Sequence, residues 1–294
     1  MTLFDLPPFD QPAVRVLPVM WDATTSRARG TAECWPLVLE ESWQVDLDDE
    51  ETGDAWRAGI VAEEPLPVRN PRDQGVDAVN AASDARDTLV ESWTLRQLSK
   101  GVIPVIFGGD HSVPLGAIRA ARPGGILHVD AHADLRVAYE GYTGSHASIL
   151  HRVLEFHEGP VVHVGLRDLC REERGRLRED PRLHAFTDRD LARATLDGTP
   201  WTSLVARMLA PLPERVWVTF DVDGLEPSLC PNTGTPVPGG LGWNPTLDLL
   251  DALARTRRII GFDICETGAH PWDANVGARL LYGLACRAIR SQGR

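Results

Sequence analysis

Cysteine is scarce and unpatterned in this chain. Its five cysteines, Cys34, Cys170, Cys230, Cys265 and Cys286, include no CxxC pair, which speaks against a zinc–thiolate site or a disulfide framework and for reduced thiols. Long apolar runs are missing too. Nothing approaches the roughly 20 apolar residues that a membrane-crossing helix needs, so no membrane role is expected. The opening stretch, MTLFDLPPFDQP, is acidic and contains proline; it lacks the basic start and apolar core of a secretory signal, and a cytoplasmic protein is the expectation. Positive charge is in deficit, 30 Lys and Arg against 42 Asp and Glu, for a net charge of −12. Such a field repels nucleic acid and mildly favours small cationic partners. Part of the excess lies in residues 46–54, read as a solvated loop or helix face.

What is present is a series of short β-rich apolar runs at 14–19, 102–107, 125–129, 161–166, 216–220 and 259–264. Helix-like stretches lie between several of them, at 82–100, 113–121, 148–156 and 246–255, the last opened by Asn244 and Pro245 as cap and first helical residue. Continuous rather than alternating apolar strands, separated by helices, indicate a mostly parallel sheet covered on both faces. No repeat or low-complexity linker divides the chain. The expected architecture is one three-layer α/β/α domain over 14–294, preceded by an N-terminal arm at 1–13.

Ligands of open parallel sheets bind beyond the carboxyl ends of the strands, and three polar clusters fall there. They are Gly108-Gly109-Asp110-His111-Ser112, Asp130-Ala131-His132-Ala133-Asp134 and Asp221-Val222-Asp223-Gly224. In extended chain, residues at i, i+2 and i+4 point to one side, so Asp130, His132 and Asp134 are expected to converge, as are Asp221 and Asp223. Carboxylates packed together repel one another unless a cation joins them. With His111 the set has oxygen and imidazole donors and no sulfur, which suits manganese and related ions better than structural zinc. Six donors are too many for one catalytic ion with an open position and suit two. Such a pair lowers the pKa of a bound water toward about 7 and supplies a nucleophile at neutral pH.

The motifs GGDHS (108–112), DAHAD (130–134) and FDVDGLEPS (220–228) resemble the three metal motifs of the ureohydrolases, the family of arginase and agmatinase. The segment DATTSRARGTAE (22–33) is similar to a further stretch of that family, so the resemblance covers about 14–290. It implies an arginase-like fold and two Mn2+ ions, with Ni2+ or Co2+ as other occupants. His111 and Asp134 would serve one ion, His132 and Asp223 the other, and Asp130 and Asp221 would bridge, with Asp134 also orienting the attacking hydroxide. It further implies a proton-shuttling histidine at His146 and a guanidinium-binding carboxylate at Glu266, and a homo-oligomer, trimer or hexamer. The chemistry agrees: a guanidinium stays protonated at neutral pH, so a bidentate carboxylate is its natural partner, and the leaving amine needs a proton that histidine can deliver.

Asp110 and Ser112 are read as residues that hold the metal ligands in orientation. The remaining histidines, His128, His151, His157, His163, His184 and His270, have no convergent partner in the sequence and are read as structural or surface groups. For the substrate, Leu135-Arg136 replaces the Asn that arginases keep after this motif, and Cys170, two residues after Asp168, stands where a second carboxylate is expected. Both departures count against arginine, and Ser145-His146 resembles agmatinases, so a small cationic guanidino compound of the agmatine type is the expected partner. Formimidoylglutamase is the alternative, with Arg136 meeting a substrate carboxylate, followed by an arginase or guanidino-acid hydrolase. Asp168 is a further candidate for substrate contact. A zinc deacetylase would need an adjacent histidine pair, and none occurs. A metal-binding regulatory homologue would lack the residues that orient the nucleophile or shuttle protons, and none is missing.

Overall fold

Runs of Val, Ile, Leu and Phe favour the pleated conformation, on which branched side chains stack well. In the computed structural model, whose described residues are 2–71 and 73–293, each of the six expected runs is a strand, and two more join them. In chain order the strands and α-helices are β1 (Val14–Val19), α1 (Trp35–Ser42), β2 (Ile60–Ala62), α2 (Val76–Ser99), β3 (Ile103–Gly108), α3 (Leu115–Ala121), β4 (Gly125–Val129), α4 (Ile149–Val153), β5 (Val161–Leu166), α5 (Arg171–Glu179), β6 (Leu183–Thr187), α6 (Asp188–Leu196), α7 (Trp201–Leu209), β7 (Arg215–Asp221), α8 (Trp243–Thr256), β8 (Arg258–Cys265) and α9 (Pro271–Ser291). The strands form one sheet in the order β2-β1-β3-β8-β7-β4-β5-β6, and every pairing is parallel. The two strands not anticipated, β2 and β6, are its edges. An edge strand has less surface to bury: β2 has three residues, and only Leu183 of β6 is fully buried.

Both faces of the sheet are covered, which is why the central strands read as unbroken apolar runs. Val105, Phe107, Leu127, Val129, Val218 and Phe220 pack with Leu249, Leu253, Leu280 and Leu284 of α8 and α9 in one core. Ile106, Ile126, Val161 and Trp217 pack with Val90, Ile118 and Ile149 of α2, α3 and α4 in the other. Near the chain start Leu3, Phe4 and Leu6 are buried, the Phe4 ring meeting Tyr282 edge-on at 5.1 Å. Residues 46–54 form a loop, yet Asp49 turns inward to within 3.5 Å of Arg287, which also pairs with Asp251 at 2.7 Å.

Several helix boundaries differ from expectation. Helix α8 starts at Trp243 with Gly242 as its cap, so Asn244 and Pro245 lie inside the first turn, where a proline costs no hydrogen bond. The stretch at 148–156 is helical only over α4, preceded by a 3-10 turn at His146–Ser148 that Ser145 caps by accepting the Ala147 N–H at 3.2 Å.

The loop after β3 is laced to the end of β1. Gly109 N–H donates to the Val19 carbonyl at 3.0 Å and Asp110 N–H to the Trp21 carbonyl at 2.7 Å. A Cβ on Gly109 would lie 1.9 Å from the Trp21 oxygen, a backbone atom that cannot move aside cheaply. Gly109→Ala is therefore expected to lower the unfolding free energy by about 2–3 kcal/mol. Urea denaturation checks this, and a midpoint equal to that of the parent chain contradicts it.

Candidate metal centre and active site

All eight strands run the same way, so their carboxyl ends share one edge of the sheet, where clefts form. The residues singled out above follow β3, β4, β7 and β8, and these four are consecutive neighbours in the order β3-β8-β7-β4. Motifs as far apart as the 155 residues between His111 and Glu266 thereby arrive side by side, with the His111 N–H donating to Glu266 Oε1 at 3.2 Å.

His111 Nδ1 lies 2.9 Å from Asp130 Oδ2, 3.1 Å from Asp134 Oδ2 and 3.4 Å from Asp221 Oδ2. His132 Nδ1 lies 3.1 Å from Asp223 Oδ2 and 3.4 Å from Asp130 Oδ1. Asp130 thus faces both imidazoles, one oxygen toward each. Two groups of donors share Asp130, one of His111, His128, Asp130 and Asp134, the other of Asp130, His132 and Asp223, and a third joins His111 to Asp263 and Cys265; in each the donor atoms lie within 4.8 Å of one another.

The convergence is real, but strand alternation is not its cause. Strand β4 ends at Val129, so only His128 and Asp130 keep the two-residue spacing of extended chain; His132 and Asp134 sit in a loop, Asp134 in the left-handed region at φ 54°. Asp223 lies in a 3-10 turn, Val222–Gly224, and its N–H donates to Asp221 Oδ1 at 2.8 Å. Turns therefore aim these carboxylates. Glu266 is also left-handed, at φ 64°. Such backbone costs a non-glycine residue roughly 1–2 kcal/mol and persists where surrounding structure enforces it, often at functional sites.

Hydrogen-bond accounting tests whether a cation fits. His111 Nε2 lies 2.9 Å from Thr219 Oγ1, whose hydroxyl donates to Asp263 Oδ1 at 2.8 Å; Asp263 is held in turn by the Trp217 indole N–H at 2.7 Å. The hydroxyl, having given its hydrogen away, accepts from His111 Nε2–H, which leaves a neutral His111 with a lone pair on Nδ1 facing three carboxylates. Only a positive centre there relieves the repulsion, either a proton or a metal ion. Without metal the protein takes the proton. Burial opposes charge on His111, yet its hydrogen bonds to Asp130 and Asp134 push it well above the ordinary imidazole value. Burial likewise opposes charge on His132, and the Asp223 carboxylate with hydrogen bonds to Asp130 and Asp223 pushes it up to about 12. Burial and the Asp130 charge raise Asp134 to about 7, and burial with Asp223 and Asp130 raises Asp221 well above the carboxylate range. Buried His and Asp groups of this composition fit a binuclear divalent-metal site.

Thr219, Asp263 and His128 are supporting groups that the sequence reading misses. A signal exists for two of them: Thr219 and His128 each precede a motif aspartate by two residues in a buried strand, on the side that the aspartate faces. Asp110 and Ser112 do hold the loop. Asp110 Oδ1 accepts from the Ser112 N–H at 3.1 Å and from its hydroxyl, while Oδ2 accepts from Thr24 N–H at 3.0 Å and Thr24 Oγ1 at 2.7 Å. Thr24 Oγ1 in turn receives the His146 N–H at 3.0 Å, tying the segment at 22–33 to the site.

Above the donors opens a cavity of about 340 Å³, lined by His132, Asp134 and His146 at its inner end and by Arg27, Arg136, Tyr139, Asp168 and Glu173 among others farther out. His146 Nδ1 lies 3.6 Å from Glu266 Oε1, and both residues are buried; His146 Nε2 and Glu266 Oε2 are buried without a hydrogen-bond partner. Burial lowers His146, and burial with the Asp110 and Asp223 charges raises Glu266 well above its ordinary value. Asp168, 70% exposed, reaches within 3.9 Å of His132 Nε2, and the Arg136 guanidinium stacks 4.7 Å from the Tyr139 ring centroid. Glu173 turns back to cap its own helix, accepting the N–H groups of Cys170 at 3.0 Å and Leu135 at 3.2 Å. All five cysteines are free, and no helix among the described residues is long and apolar enough to cross a membrane.

A divalent ion entering at neutral pH displaces the protons on His111 and His132. Cation affinity therefore falls as pH falls, and because Asp134 and Asp221 also hold protons in the absence of metal, binding releases at least two protons at pH 7. Calorimetric titration of the metal-stripped chain with manganese, in buffers of different ionisation enthalpy, counts them; a count near zero contradicts this account of the cluster.

Comparison with known proteins agrees with the geometry. A family model described as the arginase family matches residues 12–288. The N(1)-aminopropylagmatine ureohydrolase of Synechocystis is 33% identical over 261 residues, 86% of this chain and 81% of that one. The protein of the same name from Thermus thermophilus is 34% identical over 265 residues, 88% of this chain and 84% of that one. The solved structure of agmatine ureohydrolase from Thermoplasma volcanium superimposes with a TM-score of 0.82 at 23% identity, covering 99% of this chain and 94% of its own, and so shares the fold. With three acidic motifs and Glu266 meeting at the ends of four adjacent strands and a family match over nearly its whole length, the chain belongs to the arginase family and is an agmatinase-like ureohydrolase.

Proposed function

We propose that this ureohydrolase hydrolyses a C–N bond of an agmatine-type guanidino compound, releasing urea and the corresponding amine, with two Mn2+ ions held by His111, Asp130, His132, Asp134, Asp221 and Asp223. The single observation that carries the reading is Glu266, a buried carboxylate surrounded by other acidic groups, with one oxygen lacking any partner. Such a group calls for a cation able to donate hydrogen bonds, and a guanidinium does both. When bound, the metal pair supplies a water acidic enough to attack at neutral pH. Asp134 orients that water. Glu266 holds the guanidinium so that its central carbon faces the donors, and His146, 3.6 Å from Glu266, takes up the proton that the attacking water loses and passes it to the departing amine. The remainder of the substrate runs outward through the cavity past Tyr139 and Asp168. Its open mouth admits an amine tail longer than that of agmatine, in keeping with the names of the two relatives.

A second reading concerns only the outer end. Arg27 and Arg136 lie on the cavity lining, which favours a substrate whose tail carries a carboxylate, a guanidino acid or formiminoglutamate.

Glu266→Gln removes the charge but little volume, and is expected to raise KM for the guanidino substrate about 10–100-fold while two ions remain bound. His146→Ala is expected to lower kcat about 10²–10⁴-fold. Urea or formamide release is measured over a panel of agmatine, aminopropylagmatine, arginine, guanidinobutyrate, guanidinopropionate, guanidine and formiminoglutamate. Strongest turnover of a carboxylate-bearing member replaces the agmatine-type reading with the second one, and absence of turnover on every member with two ions bound overturns both.

A further inference from the structure

His128 stands on β4 two residues before Asp130, and its Nε2 lies 3.0 Å from Asp130 Oδ2. Its other nitrogen, Nδ1, lies 2.8 Å from Nδ1 of His163, its register partner on β5. The two rings meet edge to face at 86°, and both are fully buried. The ionised Asp130 carboxylate only accepts hydrogen bonds, so the hydrogen of His128 sits on Nε2. Two nitrogens 2.8 Å apart cannot both carry hydrogen. A hydrogen on His163 Nε2, which is buried with no partner, would be an orphaned donor, so the hydrogen of His163 sits on Nδ1 and His128 Nδ1 accepts it. His163 Nε2 is then a bare acceptor, buried and without a hydrogen-bond partner. A valine, like Val162 and Val164 beside it, would leave no such atom unpaired; what the imidazole provides is the hydrogen on Nδ1.

We propose that His128 and His163 are positioning residues, a relay of two imidazoles with fixed tautomers that holds Asp130 between the two donor groups and sets how tightly the chain retains its cations. Asp130 Oδ1 already receives the His132 N–H at 2.6 Å. With His128 behind Oδ2, each oxygen has a protein donor on one side and acceptor capacity left for a cation on the other. Without the His163 hydrogen, His128 is free to move its own hydrogen to Nδ1, which turns a lone pair toward Asp130 and leaves the carboxylate unsupported. The inference rests on the two-cation reading above, with Asp130 as the shared carboxylate.

The test compares two variants of the metal-stripped full chain, titrated with manganese alone by calorimetry and analysed for metal content. In His163→Asn the side-chain amide nitrogen stands near the Nδ1 position and still donates; His163→Leu has similar volume and no donor. Binding of the Asn variant is expected to match that of the parent chain, and binding of the Leu variant to weaken about 10–100-fold, with kcat returning toward the parent value at saturating manganese. Equal affinity in the Leu variant and the parent chain, or equal loss in both variants, overturns the proposal. Imidazole ¹⁵N spectra of the zinc-loaded parent chain give a readout that needs no variant and holds even if the Leu variant fails to fold. Hydrogen on Nε2 of His128 and on Nδ1 of His163 supports the relay, and either opposite tautomer overturns it. A parent chain that binds fewer than two ions overturns the two-cation reading instead, and that result is in hand before any variant is compared.

Discussion

Mutual repulsion among buried carboxylates is the constraint on which the centre of this molecule depends. Asp130, Asp134, Asp221, Asp223 and Glu266 are all buried within a few side chains of one another, an arrangement whose free-energy cost far exceeds the gain from any local contact. It is tolerable because positive charge enters between the groups and because every support is rigid. The supports are the ends of four adjacent strands in the middle of an eight-stranded sheet, covered on both faces and clamped by hydrogen bonds such as Glu266 N–H to the Gly109 carbonyl at 2.7 Å. A loosely held site would relieve the repulsion by moving apart. A rigid one keeps it available for binding cations.

This rigidity explains the division of labour among the polar residues around the centre. Each of two imidazoles facing the carboxylates by one nitrogen is fixed through its other nitrogen: His111 by Thr219 and Asp263, and His128 by His163. A histidine free to rotate would satisfy a carboxylate by itself and compete with metal. One whose second nitrogen is committed presents a lone pair or a hydrogen in a fixed direction, a general feature of the histidines around metal sites. The left-handed backbone at Asp134 and Glu266 belongs to the same pattern, since conformational strain is accepted where it aims a functional group.

How far the sequence anticipates this follows from what each residue type reports. The parallel sheet, its double coverage and the clustering of His111, Asp130, His132, Asp134, Asp221 and Asp223 are legible because unbroken Val and Ile runs that end in acidic motifs are seldom anything but central strands reaching a ligand site. The geometry behind the clustering is not. Extended-chain alternation is the simplest route to convergence, but turns whose conformations depend on tertiary contacts achieve it, as with Asp223 bonded to Asp221. Edge strands β2 and β6 escape notice because so little of them is buried, and the cap of α8 because proline is equally at home one or two residues further into a first turn. His128 and His163 look like isolated histidines because their pairing runs across strands 35 residues apart, a distance over which local pattern carries no information.

The same architecture separates recognition into two parts that respond to different physics. The inner end, where the clustered His and Asp donors lie, is built on the ends of central strands and the turns that directly follow them, which the sheet holds in place. The outer end is built on connecting segments, with Arg27 from the stretch after β1, Arg136 and Tyr139 from the loop after β4, and Asp168 from the turn after β5. Surface connections vary at little cost to the fold, so the reaction and the tail of the substrate are set independently. The charges reflect this: carboxylates crowd the inner end, whereas the mouth carries both signs, with arginine and aspartate on its lining. Acidic groups therefore dominate the deepest part of the site, while its outer end is lined by residues that the sheet does not constrain. That asymmetry lets the arginase family keep one hydrolytic centre while individual members serve guanidino compounds of different length and charge.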